Sequence, residues 1–326
     1  MRAVVITRPG GPEVLEMRER PTPEPGLGQV RVRVRASALN RADLSQRTGS
    51  YPAPPGSPAD IPGLEYAGEV EAIGPTSTMW PVGARVMGIV GGGAHAEYVC
   101  VHEREAIPIP SELSFEEGAA IPEVFLTAYD ALFRQLDVRI GERILVHAIG
   151  SGVGTALLQL AWLAGVTVYG TSRSVAKLER AKGLGLVHAI DASSKEWATR
   201  VELLAGTNGV HAVVDLVGGE YLRDNLRVLA PRGRLLVVGL TAGNRSELDL
   251  GVVLRKRLKI IGTALRSRTL EEKVALAREF SQRVIPFFEA RQLRPVIERV
   301  VPFARIADAH SEMASNSTFG KLVLRW

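Results

Sequence analysis

Three glycines lie close together in the second half of the chain, in the run His147-Ala148-Ile149-Gly150-Ser151-Gly152-Val153-Gly154. A phosphate group needs backbone N–H donors at the start of a helix and no Cβ where the chain approaches it. Gly150, Gly152 and Gly154 meet both conditions. The spacing is not a literal G-x-G-x-x-G, because Thr155 stands where the last glycine would fall. The run predicts a phosphate site of a dinucleotide, and an ordinary strand-to-helix turn is the alternative.

A second polar group follows the next predicted strand, in Gly170-Thr171-Ser172-Arg173-Ser174, with Lys177 one turn into the following helix. A site for NAD usually has Asp or Glu here, which accepts hydrogen bonds from the ribose 2′-hydroxyl. No carboxylate is present. Arg173, Lys177 and the hydroxyl of Ser172 could instead hold a 2′-phosphate through charge-assisted hydrogen bonds. The segment therefore predicts NADPH as the cofactor, and a solvated helix start is the alternative.

Metal and acyl-transfer chemistry lack the residues that they need. Zinc prefers Cys and His donors, but Asn40 and Leu64 stand where a cysteine and a histidine would bind it in an alcohol dehydrogenase. The one cysteine, Cys100, lies in an alternating run and is interpreted as a small buried side chain. There is no Gly-x-Ser-x-Gly motif, so hydrolysis has no nucleophile. We expect no bound metal.

The elements that position the glycine turn alternate between strand and helix. Ile144–Val146 is an apolar run typical of a strand covered on both faces. A helix with one apolar face then leads to the strand Val166–Tyr169. The later predicted strands are His211–Leu216, Leu235–Gly239 and Leu258–Ala264, and the helices lie near 174–183, 195–204 and 220–229. Repeated units of this kind predict a doubly wound parallel sheet.

The first 120 residues or so read as short β-strands. Val30–Ala36 alternates Val with Arg, which indicates a half-buried antiparallel strand with a solvated basic face. Further predicted strands are Ala3–Thr7, Ala67–Ile73, Arg85–Val90 and Ala96–His102. Regular short strands favour a barrel or sandwich. Beyond them we predict helix over Phe115–Leu136 with an interruption at Pro122, and one long helix from about 266 through Phe288. The chain then closes with the strand Ile297–Val301, a short helix from Ile306 and the strand Lys321–Trp326.

Length and charge limit the classes of function. A chain of 326 residues predicts two domains. The net charge is +5, but no basic stripe interleaved with aromatic residues appears, so nucleic acid is not an expected partner. No stretch approaches the roughly 20 apolar residues of a membrane span, and no signal-peptide pattern is visible. The cytoplasm is the default location.

With these motifs in view, the chain resembles the medium-chain dehydrogenase/reductase superfamily, specifically its zinc-free, zeta-crystallin-like quinone oxidoreductases. The likeness covers essentially the whole chain. The segments that show the likeness are Gly10–Leu15, Asn40-Arg41-Ala42-Asp43-Leu44, Gly63-Leu64-Glu65-Tyr66-Ala67-Gly68, Leu126-Thr127-Ala128, Ser151–Ala156, Leu265-Arg266-Ser267-Arg268 and Gly320-Lys321-Leu322-Val323-Leu324.

The resemblance implies an α/β protein with a β-rich, GroES-like catalytic domain (1–121 and 267–326) and a doubly wound parallel Rossmann domain (122–266). It implies NADPH in the cleft between them and a homodimer through Rossmann edge strands. The implied cofactor contacts, besides the two segments above, are Thr127, Gly218, Gly239, Leu240, Leu265, Arg266, Ser267 and Asn316. One departure concerns a tyrosine that many relatives carry after the third Rossmann strand, because this chain has Ala192 there.

The implied reaction is hydride transfer from NADPH to a quinone or an α,β-unsaturated carbonyl compound. Without a metal, the developing oxyanion needs neutral donors. Tyr51, at the head of the proline-rich segment 51–58, and Asn40 are the candidates. Both could instead serve only the loops that carry them. Two other interpretations stay open: reduction of enoyl thioesters or alkenals, and a non-enzymatic NADPH-binding protein.

Overall fold

A computed structural model describes all 326 residues, and these form two compact units. The first unit comprises residues 1–126 and 265–326, and the second comprises residues 127–264. The sequence-based boundaries, at 121/122 and 266/267, lie five and two residues away from these. No helix of the chain is both long and apolar enough to cross a membrane.

The first unit is rich in β-structure. Its strands are β1 (Arg2–Ile6), β2 (Leu15–Glu19), β3 (Gln29–Ala38), β4 (Glu65–Ile73), β5 (Arg85–Ile89), β6 (Tyr98–His102), β7 (Ile107–Pro108), β14 (Ile297–Pro302) and β15 (Lys321–Arg325). A seven-stranded sheet has the order β14-β15-β3-β4-β5-β7, with β6 also paired to β3, and β1 and β2 form a separate pair. The helices are α1 (Arg41–Arg47), α2 (Phe115–Ala119), α3 (Pro122–Tyr129, which continues past the division), α9 (Leu270–Arg283), α10 (Ile285–Glu289) and α11 (Ile306–Ala314). The prediction that the first 120 residues or so are rich in β-strands is confirmed.

In β3, the burial of one face explains why the alternating valines and arginines form a strand. Val30, Val32 and Val34 are buried in the core. Of the two arginines between them, Arg31 pairs with Glu24 and Glu71 at the sheet surface, and Arg33 is exposed. Carboxylates on neighbouring segments thus occupy part of the basic face of β3.

The second unit is a parallel sheet with helices around it. Its strands are β8 (Arg143–Val146), β9 (Thr167–Ser172), β10 (His188–Asp191), β11 (Val210–Asp215), β12 (Leu229–Val237) and β13 (Lys259–Gly262). Its helices are α4 (Gly152–Leu163), α5 (Val175–Lys182), α6 (Trp197–Ala205), α7 (Tyr221–Val228) and α8 (Leu250–Lys256). All pairings are parallel in the order β10-β9-β8-β11-β12-β13, which is the 3-2-1-4-5-6 order of dinucleotide-binding sheets. The doubly wound prediction is confirmed.

The predicted interruption at Pro122 is confirmed, because α2 ends at Ala119 and α3 begins at Pro122, where a proline loses no hydrogen bond. Other local predictions are wrong. The long helix after 266 is two helices, since Pro286 lacks the N–H that would continue α9. Cys100 is partly exposed on β6, with Sγ 3.6 Å from the carbonyl oxygen of Pro23. The strand β2 and the helices α1 and α8 were not predicted.

Candidate functional site

The glycine turn lies between β8 and α4, beside the point where the order of the parallel strands reverses. Ser151 caps α4, and its Oγ accepts a hydrogen bond of 3.0 Å from the N–H of Gly154. A Cβ on Gly154 would lie 2.5 Å from the carbonyl oxygen of Ala148, so this position admits only glycine without movement of the backbone. Ligands of such sheets bind outside the carboxyl ends of the strands at this reversal point.

The start of α4 fits a phosphate. The first turn of a helix has N–H groups with no partner inside the helix, and these carry a partial positive charge. No acidic side chain occupies that turn. Ala148, with φ of 49°, bends the chain so that Ile149 returns to the neighbouring strand, where its N–H donates to the carbonyl oxygen of Thr171 at 2.9 Å. Gly150 and Val153 complete the turn.

The end of β9 carries the predicted cations. Ser172 is buried, and its Oγ accepts from the N–H of Ser174 at 3.1 Å, while Ser174 in turn caps α5. Arg173 is exposed directly after the strand, and Lys177 lies in the first turn of α5. The strand end therefore has hydroxyl and cationic groups and no carboxylate.

The other predicted cofactor contacts divide between the two units. Gly218, Gly239 and Leu240 follow β11 and β12 at the carboxyl ends of the same sheet. Thr127 is a buried residue of α3. Leu265, Arg266, Ser267 and Asn316 belong to the first unit. The Oδ1 of Asn316 accepts from Arg41 at 2.7 Å.

Arg266 is engaged inside the first unit. Its guanidinium donates to the carbonyl oxygens of Gly91 (2.8 Å) and Tyr51 (3.2 Å) and to Oε1 of Gln46 (2.6 Å). It also lies 4.9 Å from the centroid of the Tyr51 ring, a cation–π contact. Tyr51 itself is 38% exposed. Arg266 thus fixes the backbone and the ring of Tyr51, and the Tyr51 residue remains partly exposed.

Asn40 belongs to a buried ionic network. The ammonium of Lys321 donates to Oδ1 of Asn40 (2.6 Å), to Oε1 of Glu65 (2.7 Å) and to the carbonyl oxygen of Leu39 (2.7 Å). Nδ2 of Asn40 donates to the same Glu65 oxygen at 2.8 Å. These bonds fix the orientation of the Asn40 amide. The sequence analysis identified Asn40 as a candidate site residue but did not predict that Glu65 and Lys321 contact it. Both residues lie in the family motifs quoted above, and those motifs are the signal that could have identified them.

Two further carboxyl groups lie near this network. Asp43 accepts from the N–H groups of Asn40 (2.8 Å) and Gly63 (3.0 Å), and burial raises its pKa to about 6. The N–H of Glu123 donates to Oε2 of Glu65 at 2.8 Å. Burial, followed by repulsion from Glu65, raises the pKa of Glu123 to about 8. Glu123 is therefore mostly protonated at neutral pH.

Glu123→Gln is expected to change how stability depends on pH. Because the folded pKa lies above the unfolded one, wild-type stability falls as pH rises from about 4.5 to about 8. Between about pH 6 and pH 8.5, the wild type should lose on the order of 2 kcal/mol more than the variant. Urea unfolding at both pH values measures this. Equal losses in the two proteins would contradict a raised pKa of Glu123.

No group of three or more His, Cys, Asp or Glu side chains in the structure is placed to hold a metal ion. At the two positions considered above, Leu64 is a buried apolar side chain and Asn40 is hydrogen-bonded to Lys321 and Glu65. The donor set at these positions therefore does not fit zinc.

Comparisons with known proteins agree with this architecture. Residues 26–111 match the alcohol dehydrogenase GroES-like domain family, and residues 152–282 match the family described as zinc-binding dehydrogenase. A quinone oxidoreductase of Pseudomonas aeruginosa is 37% identical over 319 residues, which cover 97% of this chain and 96% of that protein. The chain belongs to the medium-chain dehydrogenase/reductase superfamily. It is an oxidoreductase, and its relatives indicate a nicotinamide cofactor.

Other relatives differ in what their names state. The mouse synaptic vesicle membrane protein VAT-1 homolog is 32% identical over 341 residues, covering 99% of this chain and 83% of that protein. A crystal structure of an NAD-dependent alcohol dehydrogenase superposes with a TM-score of 0.89 at 35% identity, covering all of both chains. A mycobacterial protein complexed with NADPH gives the same TM-score at 30% identity, again covering all of both chains. The two structures name different dinucleotides, so the superfamily alone does not choose between them.

Proposed function

We propose that this protein is an NADPH-dependent oxidoreductase that reduces quinones or α,β-unsaturated carbonyl compounds without a metal. The observation that carries the proposal is the end of β9, where Ser172, Arg173 and Lys177 stand without a carboxylate. A carboxylate would accept from the ribose 2′-hydroxyl of NADH, whereas cations and hydroxyls suit the 2′-phosphate of NADPH. The similarity to a mycobacterial protein complexed with NADPH supports the same choice.

The protein's own residues would bind and orient the cofactor. The first-turn N–H groups of α4 and the turn Gly150–Gly154 would hold the pyrophosphate. Gly218, Gly239 and Leu240, at the next two strand ends, would border the rest of the dinucleotide. When bound, NADPH supplies the hydride. Thr127, Leu265–Ser267 and Asn316 remain proposed contacts from the family resemblance.

The proton donor that we propose is the phenol of Tyr51. Arg266 holds its ring and carbonyl group, and the residue is 38% exposed. Asn40 has a different role in this proposal. Its amide is already fixed by Lys321 and Glu65, so it would orient a neighbouring group rather than move a proton.

Tyr51→Phe tests the reaction. We expect NADPH-dependent reduction of a quinone panel to fall about 100-fold, because a positioned acid contributes at least that much, while NADPH affinity stays unchanged. The matched control is Tyr98→Phe, which alters another tyrosine ring that lies under an arginine, Arg31. Wild-type rates in Tyr51→Phe would remove this phenol from the chemistry. Absence of NADPH binding by the wild type would refute the proposed function.

A second candidate is the reduction of enoyl thioesters or alkenals. It is favoured by the likeness to the CurK enoyl reductase, with a TM-score of 0.88 at 25% identity over 99% of this chain and 98% of that one. Assays with enals, enoyl thioesters and quinones side by side distinguish the two acceptors.

We also propose a homodimer formed through the free edge of β13. This strand pairs only with β12, and its side chains are largely exposed. Exposed apolar side chains lie on it and on the helix before it, with Ile260 at 41%, Leu250 at 70% and Leu254 at 77%. An unpaired strand edge with apolar neighbours favours pairing with a second copy. Sedimentation equilibrium should give twice the chain mass of 35.2 kDa; a monomer at micromolar concentration would contradict this.

A further inference from the structure

A continuous row of buried side chains lies under the carboxyl ends of three neighbouring strands. Nδ1 of His147, after β8, lies 2.8 Å from Oγ1 of Thr171 in β9. Nε2 of His147 lies 2.7 Å from Oδ1 of Asn225 in α7. Nδ2 of Asn225 donates to Oδ2 of Asp215, at the end of β11, at 2.9 Å. All four side chains are at most 1% exposed.

The row ends on a backbone loop. Oδ1 of Asp215 accepts the N–H groups of Val217 (2.7 Å) and Gly218 (2.9 Å), the second and third residues after β11. A Cβ on Gly218, whose φ is +71°, would lie 2.8 Å from the carbonyl oxygen of Gly243. A side chain at position 218 would therefore force the backbone of this loop to shift. The hydrogen bonds from Asp215 fix the beginning of the loop.

The chemistry of the groups permits one direction of hydrogen bonding. Both oxygens of Asp215 accept hydrogen bonds, so the amide nitrogen of Asn225 faces this side chain and the amide oxygen faces His147. Nε2 of His147 must then carry the proton, which leaves Nδ1 to accept from the hydroxyl of Thr171. Burial lowers the pKa of His147, so the ring is neutral and this single tautomer satisfies every group.

Aromatic rings pack against the imidazole of the row. The His147 ring lies edge-on to Trp197 (4.8 Å between centroids) and to Tyr221 (4.9 Å), and these two rings stack on each other. The imidazole itself is fully buried. Removing the donor of a buried acceptor costs the desolvation of that acceptor.

The row joins the three segments on which cofactor binding is proposed to depend. His147 begins the turn that leads to Gly150, Thr171 precedes Ser172 and Arg173, and Asp215 sets the path of Gly218. We propose that Thr171, His147 and Asn225 are positioning residues, which fix these loops in the arrangement that binds the dinucleotide. This inference rests on the proposed function, because it assigns the cofactor to the same strand ends.

Thr171→Val tests the inference, with Thr171→Ser as its matched control. Valine keeps the shape of threonine and removes the hydroxyl, whereas serine keeps the hydroxyl and removes the methyl group. We expect Thr171→Val to weaken NADPH binding about tenfold and Thr171→Ser to stay near the wild type. Titration calorimetry at a temperature where circular dichroism shows all three proteins folded gives the dissociation constants. Equal affinities in the two variants would overturn the proposal, even if Thr171→Val were less stable.

A second measurement needs no cofactor. The ¹⁵N spectrum of the imidazole reports the tautomer of His147 in the apo protein, and we expect the proton on Nε2 in the wild type and in Thr171→Ser. A proton on Nδ1 would refute the direction of the row and the positioning role with it. Failure of the wild type to bind NADPH would instead refute the proposed function, and the tautomer measurement would still decide how the row is arranged.

Discussion

Lys321→Met is expected to lower the free energy of unfolding by about 3–5 kcal/mol, since removing one partner of a buried ion pair leaves the other charge uncompensated. Lys321 is 3% exposed and Glu65 is 0% exposed. Burial already raises the pKa of Glu65, and the ammonium of Lys321 opposes that effect. Without the ammonium, Glu65 must either remain charged in the core or take up a proton. Urea unfolding at pH 7 measures the loss.

Two controls separate this network from ordinary surface pairing. Arg139→Met removes a cation that pairs with Asp137 at the surface, and we expect no measurable change in the free energy of unfolding. The double variant Lys321→Met with Glu65→Gln removes both charges, so part of the lost stability should return. A loss below about 1 kcal/mol in Lys321→Met would mean that the pair contributes little.

Arg173→Ala is expected to weaken NADPH binding by about 10- to 100-fold and to leave NADH binding within about twofold. The reason is that a charge-assisted hydrogen bond contributes about 1.5–3 kcal/mol, and 1.4 kcal/mol corresponds to a factor of ten. Only NADPH carries the 2′-phosphate that Arg173 is proposed to hold. Dissociation constants for both dinucleotides, from titration calorimetry, measure the two effects.

Arg180→Ala is the matched control, because it removes the same charge from the last turn of α5, the helix that follows Arg173. Its affinities for NADPH and NADH should both equal those of the wild type. If Arg173→Ala weakened both dinucleotides equally, general electrostatic attraction would explain the effect. If it weakened neither, the choice of NADPH would lose its main support. That outcome matters because one similar structure is an NAD-dependent alcohol dehydrogenase.

Local pattern was a sufficient guide to most of the fold. The period-2 pattern of Val30–Ala36 lies within β3, and the apolar run Ile144–Val146 lies within β8. Both patterns reflect which faces of a strand are covered by other parts of the protein. The order of polar and apolar residues along the strand reveals this directly. The helix α1 was missed since its seven residues are too few for a period of 3.6 to become visible.

The site was predicted unevenly for the same reason. The turn Gly150–Gly154 and the cations after β9 are contiguous, so their types and spacing revealed them. The partners in the two buried networks are distant in sequence: Lys321 and Glu65 are 256 residues apart, and His147 and Asn225 are 78 apart. No local pattern marks such pairs, because burial and pairing arise only when separate strands and helices come together.

The sequence by itself determined the alternation of strands and helices, the phosphate-type turn and the missing carboxylate at the end of the second Rossmann strand. The tertiary structure decided which polar groups are buried and what each of them contacts. In the folded protein, Asn40 accepts a hydrogen bond from Lys321 in a buried ionic network, and Arg266 donates to the carbonyl oxygen of Tyr51. The physical reason is that backbone conformation depends mainly on near neighbours, whereas hydrogen bonding and charge inside the core depend on residues that only folding brings within 3 Å.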